Sequence, residues 1–496
     1  MTQSDDTDLH KVRWGTILRA RNGDVMRYDE TGIVMRLSDR VIADIAARLP
    51  QGPAVAAPVL AVAGHLDADL LGDIDAWNLR QQGDWYVFAA DLAGEQGVRQ
   101  YRRRVAPEAD EAELPVIADA PGAMLGILTL GGARAARALP RTARYPHHIL
   151  APGDDIGAVG MAGVAASTAT AQPMALREIT RDALLAEVLL SDRHRHHRAL
   201  PLYLVRAETD GSATMAAMRE GVACQNLLMA ARNLAGIAAS LAKPARILAV
   251  RLDYSLEDIS GDSIAYRDGM LALMAKLTRD LGALSFRKPV FVATFECGTA
   301  RTTDGPVLRA QWELAWNSGG HDLIFTAPGY MFAQDDYARL TDTAMVEAAE
   351  MDAAALTAIY ADTPWFCPTF LLAEREGDLA IRVKARAITA LVLDADDPFG
   401  AGVAAGFRLE GANNGAAIIN VALAADDPQD VILTCDRPPE GTALHLLYGF
   451  GATARTGARA GAHPAACGAM RDDWQAESAT GTRLHRWALP CALPVH

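Results

Sequence analysis

The apolar positions of the chain follow two periods, and the dominant one changes along its length. In the middle of the chain Leu227, Ala231, Leu234, Ala238 and Leu241 recur three and four residues apart, the spacing that lines one face of a helix. Pro244 closes that segment. Leu273, Leu277 and Leu281 predict a second helix stopped at Gly282, Leu308 to Trp316 a third, and residues 342–361 an alanine-rich fourth. Between them lie short unbroken apolar runs: Ile247-Leu248-Ala249-Val250, Val290-Phe291-Val292-Ala293 and Leu323-Ile324-Phe325. Such runs read as buried strands. Strand and helix therefore alternate from about Asp119 to Asp362, which predicts an α/β domain with a parallel sheet covered by helices on both faces.

After Trp365 the period shortens. Leu379 to Val383, Ala416 to Val421, Val431 to Thr434 and Ala443 to Leu447 are short alternating runs separated by Gly, Pro, Asn and Asp, the pattern of an antiparallel β-sandwich. Residues 1 to about 118 hold only strand-like pieces such as Trp85-Tyr86-Val87-Phe88-Ala89, and Arg102 to Glu113 has the polarity of a linker or exposed loop. The predicted organisation is an N-terminal segment (1–118), an α/β domain (119–365) and a C-terminal β-sandwich (366–496).

A length of 496 residues suits two to four domains. The net charge of −14 speaks against nucleic acid as a partner, since phosphate contacts need a basic face. No apolar run is long enough for membrane insertion. The acidic start, Met-Thr-Gln-Ser-Asp-Asp-Thr-Asp, lacks the features of a secretory signal, so synthesis in the cytoplasm is expected. Six cysteines, none in a close pair, are expected to be reduced thiols, and no metal site or cofactor is expected.

Isolated motifs favour structural roles. Gly261-Asp262-Ser263 has the letters of a serine esterase but follows an acidic loop rather than a strand, so Ser263 reads as a helix N-cap before it reads as a nucleophile. Arg193-His194-Arg195-His196-His197-Arg198 reads as a solvated or anion-facing loop, because alternating arginines repel a cation. His147-His148 reads as a loop pair, and Gly157, Gly160 and Gly163 as a flexible loop.

Taken in order, the segments carry more. Ile127-Leu128-Thr129-Leu130 runs into Gly131-Gly132-Ala133-Arg134; then come Asp210-Gly211-Ser212, Asp253-Tyr254-Ser255-Leu256-Glu257-Asp258, and Asp336-Tyr337-Ala338-Arg339-Leu340-Thr341. These blocks resemble, in order and spacing, those of SGNH-type esterases of the sialate O-acetylesterase sort carried by phage tail and related particle proteins. The C-terminal Gly481 to Pro490 resembles the β-domain that accompanies them. The resemblance covers about 119–496 and implies a flavodoxin-like three-layer fold. It also implies that Ala133 stands where the nucleophilic serine belongs, that Gly211 matches the oxyanion-hole glycine and Glu257 the acid of the third block, and that Asp336 is the triad acid with Arg339 in place of the histidine.

Acyl transfer by a triad needs a hydroxyl, a base to take its proton and an acid to orient the base. Alanine has no nucleophilic atom, and arginine stays protonated at physiological pH. The resemblance thus implies a pseudoenzyme that keeps a cleft, with Ala133, Gly211 and Arg339 meeting at the C-terminal edge of the sheet. Arg134, Asp336 and Arg339 are the candidate ligand-binding residues, suited to an acidic or hydroxyl-rich glycan; alternatively the arginines form salt bridges with Asp336 or Glu257. Two function classes follow. One is a non-catalytic, multi-copy spike or fibre of a phage-like particle, such as a gene transfer agent head spike, that binds host cell-surface polysaccharide while residues 1–118 attach to other particle proteins. The other is an active carbohydrate O-acetylesterase using Ser212, Ser263 or water activated by Glu257 or Asp258.

Overall fold

Strands whose residues are apolar without interruption take the centre of the molecule, and those that alternate take its flanks. The computed structural model describes residues 15–19, 25–29 and 32–36 (as backbone), 71, 74–95, 97–105, 114–154, 156–162, 164–165, 169–211, 214–254, 262–297, 306–335, 339–449 and 467–496. The chain divides into two compact units, Met1–Gly64 and His65–His496. In the first, β1 (Gly15–Arg19), β2 (Val25–Asp29) and β3 (Gly32–Arg36) form an antiparallel sheet in that order.

The second unit begins with an antiparallel sheet of β4 (Ala76–Gln82), β5 (Trp85–Asp91), β6 (Val98–Arg104) and β7 (Ile117–Ala118). The boundary expected near 118 is therefore misplaced. Phe88, Ala90, Tyr101, Ile117 and Ala118 are buried in the same core as the α/β elements, so residues from His65 onward fold with them. Arg102 to Arg104, read as the start of a linker, is strand; residues 106–113 of that stretch lie outside the described residues. His147-His148 is a loop pair, in the turn before β10, but it faces inward. His148 is buried with Nδ1 2.6 Å from the buried Glu95 carboxylate, and the His147 amide donates to Glu95 Oε1 at 2.8 Å, which ties the β5–β6 turn to the core.

The central sheet comprises β8 (Met124–Gly131), β10 (Ile149–Pro152), β11 (Pro173–Ala175), β13 (Leu202–Thr209), β14 (Ala245–Asp253), β15 (Phe291–Phe295) and β16 (Leu323–Pro328). Their order is β11-β10-β13-β8-β14-β15-β16, parallel except for β11. Two-residue strands β9 (Ala138–Leu139) and β12 (Ile179–Thr180) pair beside it. Numbered in chain order, the six parallel strands β8, β10, β13, β14, β15 and β16 lie as 2-3-1-4-5-6, so the direction of winding reverses beside the first strand.

Helices α1 (Arg181–Arg195), α2 (Met215–Met218), α3 (Val222–Ser240), α4 (Ser263–Ala283), α5 (Pro306–Trp316) and α6 (Asp342–Tyr360) complete this part. Successive strand residues point to opposite faces. On β8, Thr129 hydrogen-bonds Asp182 of α1 at 2.7 Å, while a Cβ on Gly126 would meet Leu234 of α3 at 2.5 Å. Helices thus cover both faces, and Gly126 is the residue that lets α3 seat closely.

Local signals were read with three displacements. Gly282 lies inside the last turn of α4, and Ser285 takes the left-handed conformation (φ 67°) after it. The arginine–histidine run continues α1 through Arg195, where positive side chains complement the carbonyl end of the helix dipole. Gly157 to Gly160 runs along β13 through a Val159–Ala207 bridge, with Gly160 N donating to Ala207 O at 2.7 Å; Gly163 lies outside the described residues.

From Thr369 onward three antiparallel sheets of four, three and three strands enclose a second core containing Phe370, Val383, Leu433, Leu446, Tyr448 and Leu493. An aromatic seam within the first core sets C-terminal residues against the α/β elements, and Tyr330 bridges from it to the second core. Trp365 meets Trp474 edge to face at 4.8 Å, Phe399 meets Trp487 at 4.9 Å, and Tyr330 Oη donates to Ala488 O at 2.7 Å. All six cysteines are buried thiols. Among the described residues no helix is long and apolar enough to cross a membrane.

Candidate functional site

At the C-terminal ends of β8, β14, β15 and β16 a cleft opens, on the side of β8 where a doubly wound sheet offers its crevice. The turn that follows β8 is tight. A Cβ on Gly131 would stand 2.6 Å from both Ala135 Cβ and Asp253 O, and Gly132 N donates to Asp253 O at 2.9 Å. Ala133 opens a short 3-10 turn there. A Cβ built on Gly211, just past β13, would lie 3.6 Å from Ala133 Cβ. The first and second blocks of the predicted site are thus adjacent, with the methyl carbon of Ala133 facing Gly211; neither residue is among those lining the cleft.

Arginines line the cleft, each with a carboxylate partner. Arg134 donates to Glu296 Oε2 at 2.7 Å, and the other oxygen of Glu296 accepts the Cys297 amide at 2.9 Å. Arg181, the first residue of α1, grips both oxygens of Asp352 at 2.8 and 2.7 Å and donates to Thr294 Oγ1 at 2.8 Å. Arg251, buried near the end of β14, donates to Asp182 at 3.0 Å and Asp253 at 2.7 Å. Arg137 donates to Asp342 at 2.7 Å. Burial alone would raise the Asp253 carboxyl; Arg251, then Arg134 and Arg181, outweigh it and hold the group below the usual carboxylate range. The remaining cavity is about 60 Å³, room for a few waters. It is well under the roughly 300 Å³ at which enclosed ligand pockets begin.

The predicted positions can now be placed. Arg134 lines the cleft. Arg339 sits between the cleft-lining residues Gln334 and Leu340, its Nε 2.9 Å from Asp335, whose carboxylate is also 3.8 Å from Arg137. The described ion-pair partners of the two candidate arginines are therefore Glu296 and Asp335. Asp336 and Glu257, proposed from sequence, lie outside the described residues, as do Ser212 and Asp258. Ser263 is not the helix cap: Asp262 holds that position, accepting from Ala265 N at 3.2 Å, and Ser263 is the first residue of α4, away from the cleft lining.

Sequence reasoning missed Arg181, Arg251, Asp253, Glu296 and Asp352. A usable signal was present, since Arg251 interrupts an apolar strand run and a charge in such a run is seldom buried without a partner. Chemically the cleft offers fixed positive and negative groups that satisfy one another. Among the described residues no cluster suits a metal ion.

No protein-family model matches the chain, and no curated protein matches it. Among solved structures, the N-terminal part of the bacterial S-layer protein SbsC is similar at 9% identity, covering 46% of this chain and 38% of that one, with a TM-score of 0.17. The match spans less than half of each chain, and a likeness so distant bears on neither fold nor function.

Proposed function

We propose that the chain is a non-catalytic, carbohydrate-binding component of a phage-like particle, built on an SGNH-type scaffold that has lost its nucleophile and base. The observation that carries this reading is the methyl group of Ala133, set at the end of β8 against Gly211, where acyl transfer would need a hydroxyl. Arg339 reinforces it, because a permanently protonated side chain ion-paired to Asp335 cannot take a proton. The particle, the host polysaccharide and a multi-copy arrangement follow from the resemblance of the sequence blocks. In this reading Arg134 and Arg339 meet acidic or hydroxyl-bearing groups at the cleft rim, and Met1–Gly64 attaches the chain to other particle proteins.

The test is hydrolysis of p-nitrophenyl acetate and of an O-acetylated sugar by the full chain. The expected rate is that of buffer, for the wild type and for Ser212→Ala and Ser263→Ala alike. Turnover by the wild type that either substitution abolishes would establish the esterase instead. A fragment lacking residues 1–64 should still bind host polysaccharide and no longer join particles; a fragment that still assembles would sink the attachment role.

A further inference from the structure

We infer that the chain binds a segment of glycan in the groove between the 394–399 loop and the 471–487 hairpin, away from the degenerate cleft. This deepens the carbohydrate reading and takes its ligand class in part from it. The groove measures about 440 Å³ and is lined by Asp394, Asp396, Phe399, Arg471, Gln475, Thr482, Arg483 and Trp487 among others. That volume lies within the roughly 300–1,000 Å³ of small-molecule sites, whereas the cleft, at about 60 Å³, falls well below it.

The lining selects the ligand. Among the lining residues Phe399 and Trp487 meet edge to face at 4.9 Å and, with Leu484 and Met331, are almost fully buried, so they brace the groove while its exposed groups make the contacts. Around it stand groups of both signs. Arg471 is fixed to Asp394 at 2.6 Å, and its Nη1 is held by Asp472 O at 3.0 Å. Asp396 and Arg483 are exposed and differ from that pair: among the described residues neither the carboxylate nor the guanidinium has a hydrogen-bond or ion-pair partner. The Gln475 amide is likewise exposed.

A strong anion would face Asp394, Asp396 and Glu347, and a cation would face Arg471 and Arg483. A ligand dense in hydroxyls, each both donor and acceptor, satisfies carboxylate, amide and guanidinium together. An oligosaccharide of two or three rings has that chemistry and that size.

The probe is a printed array of neutral and acidic bacterial oligosaccharides, read with the full chain. The variants are Asp396→Ala, Arg483→Ala and, at the cleft rim, Arg134→Ala with Arg339→Ala. Both groove positions are exposed, so unchanged melting temperature serves as the folding control. Each groove variant should weaken binding by about tenfold or more, as loss of a charge-assisted hydrogen bond does. The rim variant, which removes the two arginines given a ligand role above, should weaken binding less than either groove variant. Binding kept by the groove variants and lost by the rim variant overturns the groove while leaving the carbohydrate reading intact. No glycan held by the wild type overturns both. Soaking crystals with the best array ligand gives a second readout, in which a ring seated out of reach of Asp396 and Arg483 refutes the placement.

Discussion

Ala133 and Arg251 illustrate what single residues decide here. The first sets a methyl group in the turn after β8, against Gly211. The second brings a charge into a sheet, which is tolerated only because Asp182 and Asp253 accept from it. That Ala133, Arg134 and Gly211 lie in turns after strands was legible from the resemblance of their sequence blocks. Arg181, Glu296 and Asp352 were not, since their partners are distant in sequence and only the folded sheet brings them together. Asp253 supplies a test of this network. Its carboxyl is held low in the folded chain, against about 4 when unfolded. The folded state therefore binds fewer protons there, so the stabilisation is complete above roughly pH 4 and is lost as pH falls through the lower folded value. Melting temperatures across that acid range should fall less steeply for Asp253→Asn than for the wild type, and equal slopes would remove Asp253 from the linkage.

At the scale of elements, the long ones were readable and the short ones were not. α3, α4, α5 and α6 and strands β14, β15 and β16 follow apolar periods extended enough to leave a pattern. β7, β9, β11 and β12 span two or three residues, too few for any period, and exist because neighbouring strands supply their hydrogen-bond partners. α1 links its own start to the cleft. Thr180 caps it by accepting from Ala183 N, and the next two residues, Arg181 and Asp182, enter the ion-pair network. Thr180→Ala should cost about 1 kcal/mol, the ordinary value of such a cap. Chemical denaturation will measure it, and no loss of stability would mean that the ion pairs alone fix the helix start.

For the whole molecule the decisive feature is the seam between the α/β elements and the C-terminal residues. The sequence placed a change of pattern at Trp365, but nothing in a linear pattern tells that Trp365 and Trp474, over a hundred positions apart, share a contact. The same limit misplaced the N-terminal boundary, because only the folded chain shows that Phe88, Ala90 and Tyr101 of β5 and β6 pack into the common core. Trp365→Ala should cost about 3–5 kcal/mol, as truncation of a buried tryptophan does. The cost should lower the denaturation midpoint as seen from either core; a shift confined to one would mean that the seam does not couple them. The six buried thiols then acquire a use as an internal clock. Cys224, Cys297, Cys367 and Cys467 lie in one core, Cys435 and Cys491 in the other. Burial pushes the Cys224 thiol up to about 11 and those of Cys367 and Cys491 higher still, so hardly any reactive thiolate exists while the chain stays folded. Alkylation followed by peptide mass spectrometry would then time-stamp each opening event, and the order in which the two sets of cysteines acquire label would reveal whether the halves of the molecule come apart together or in turn.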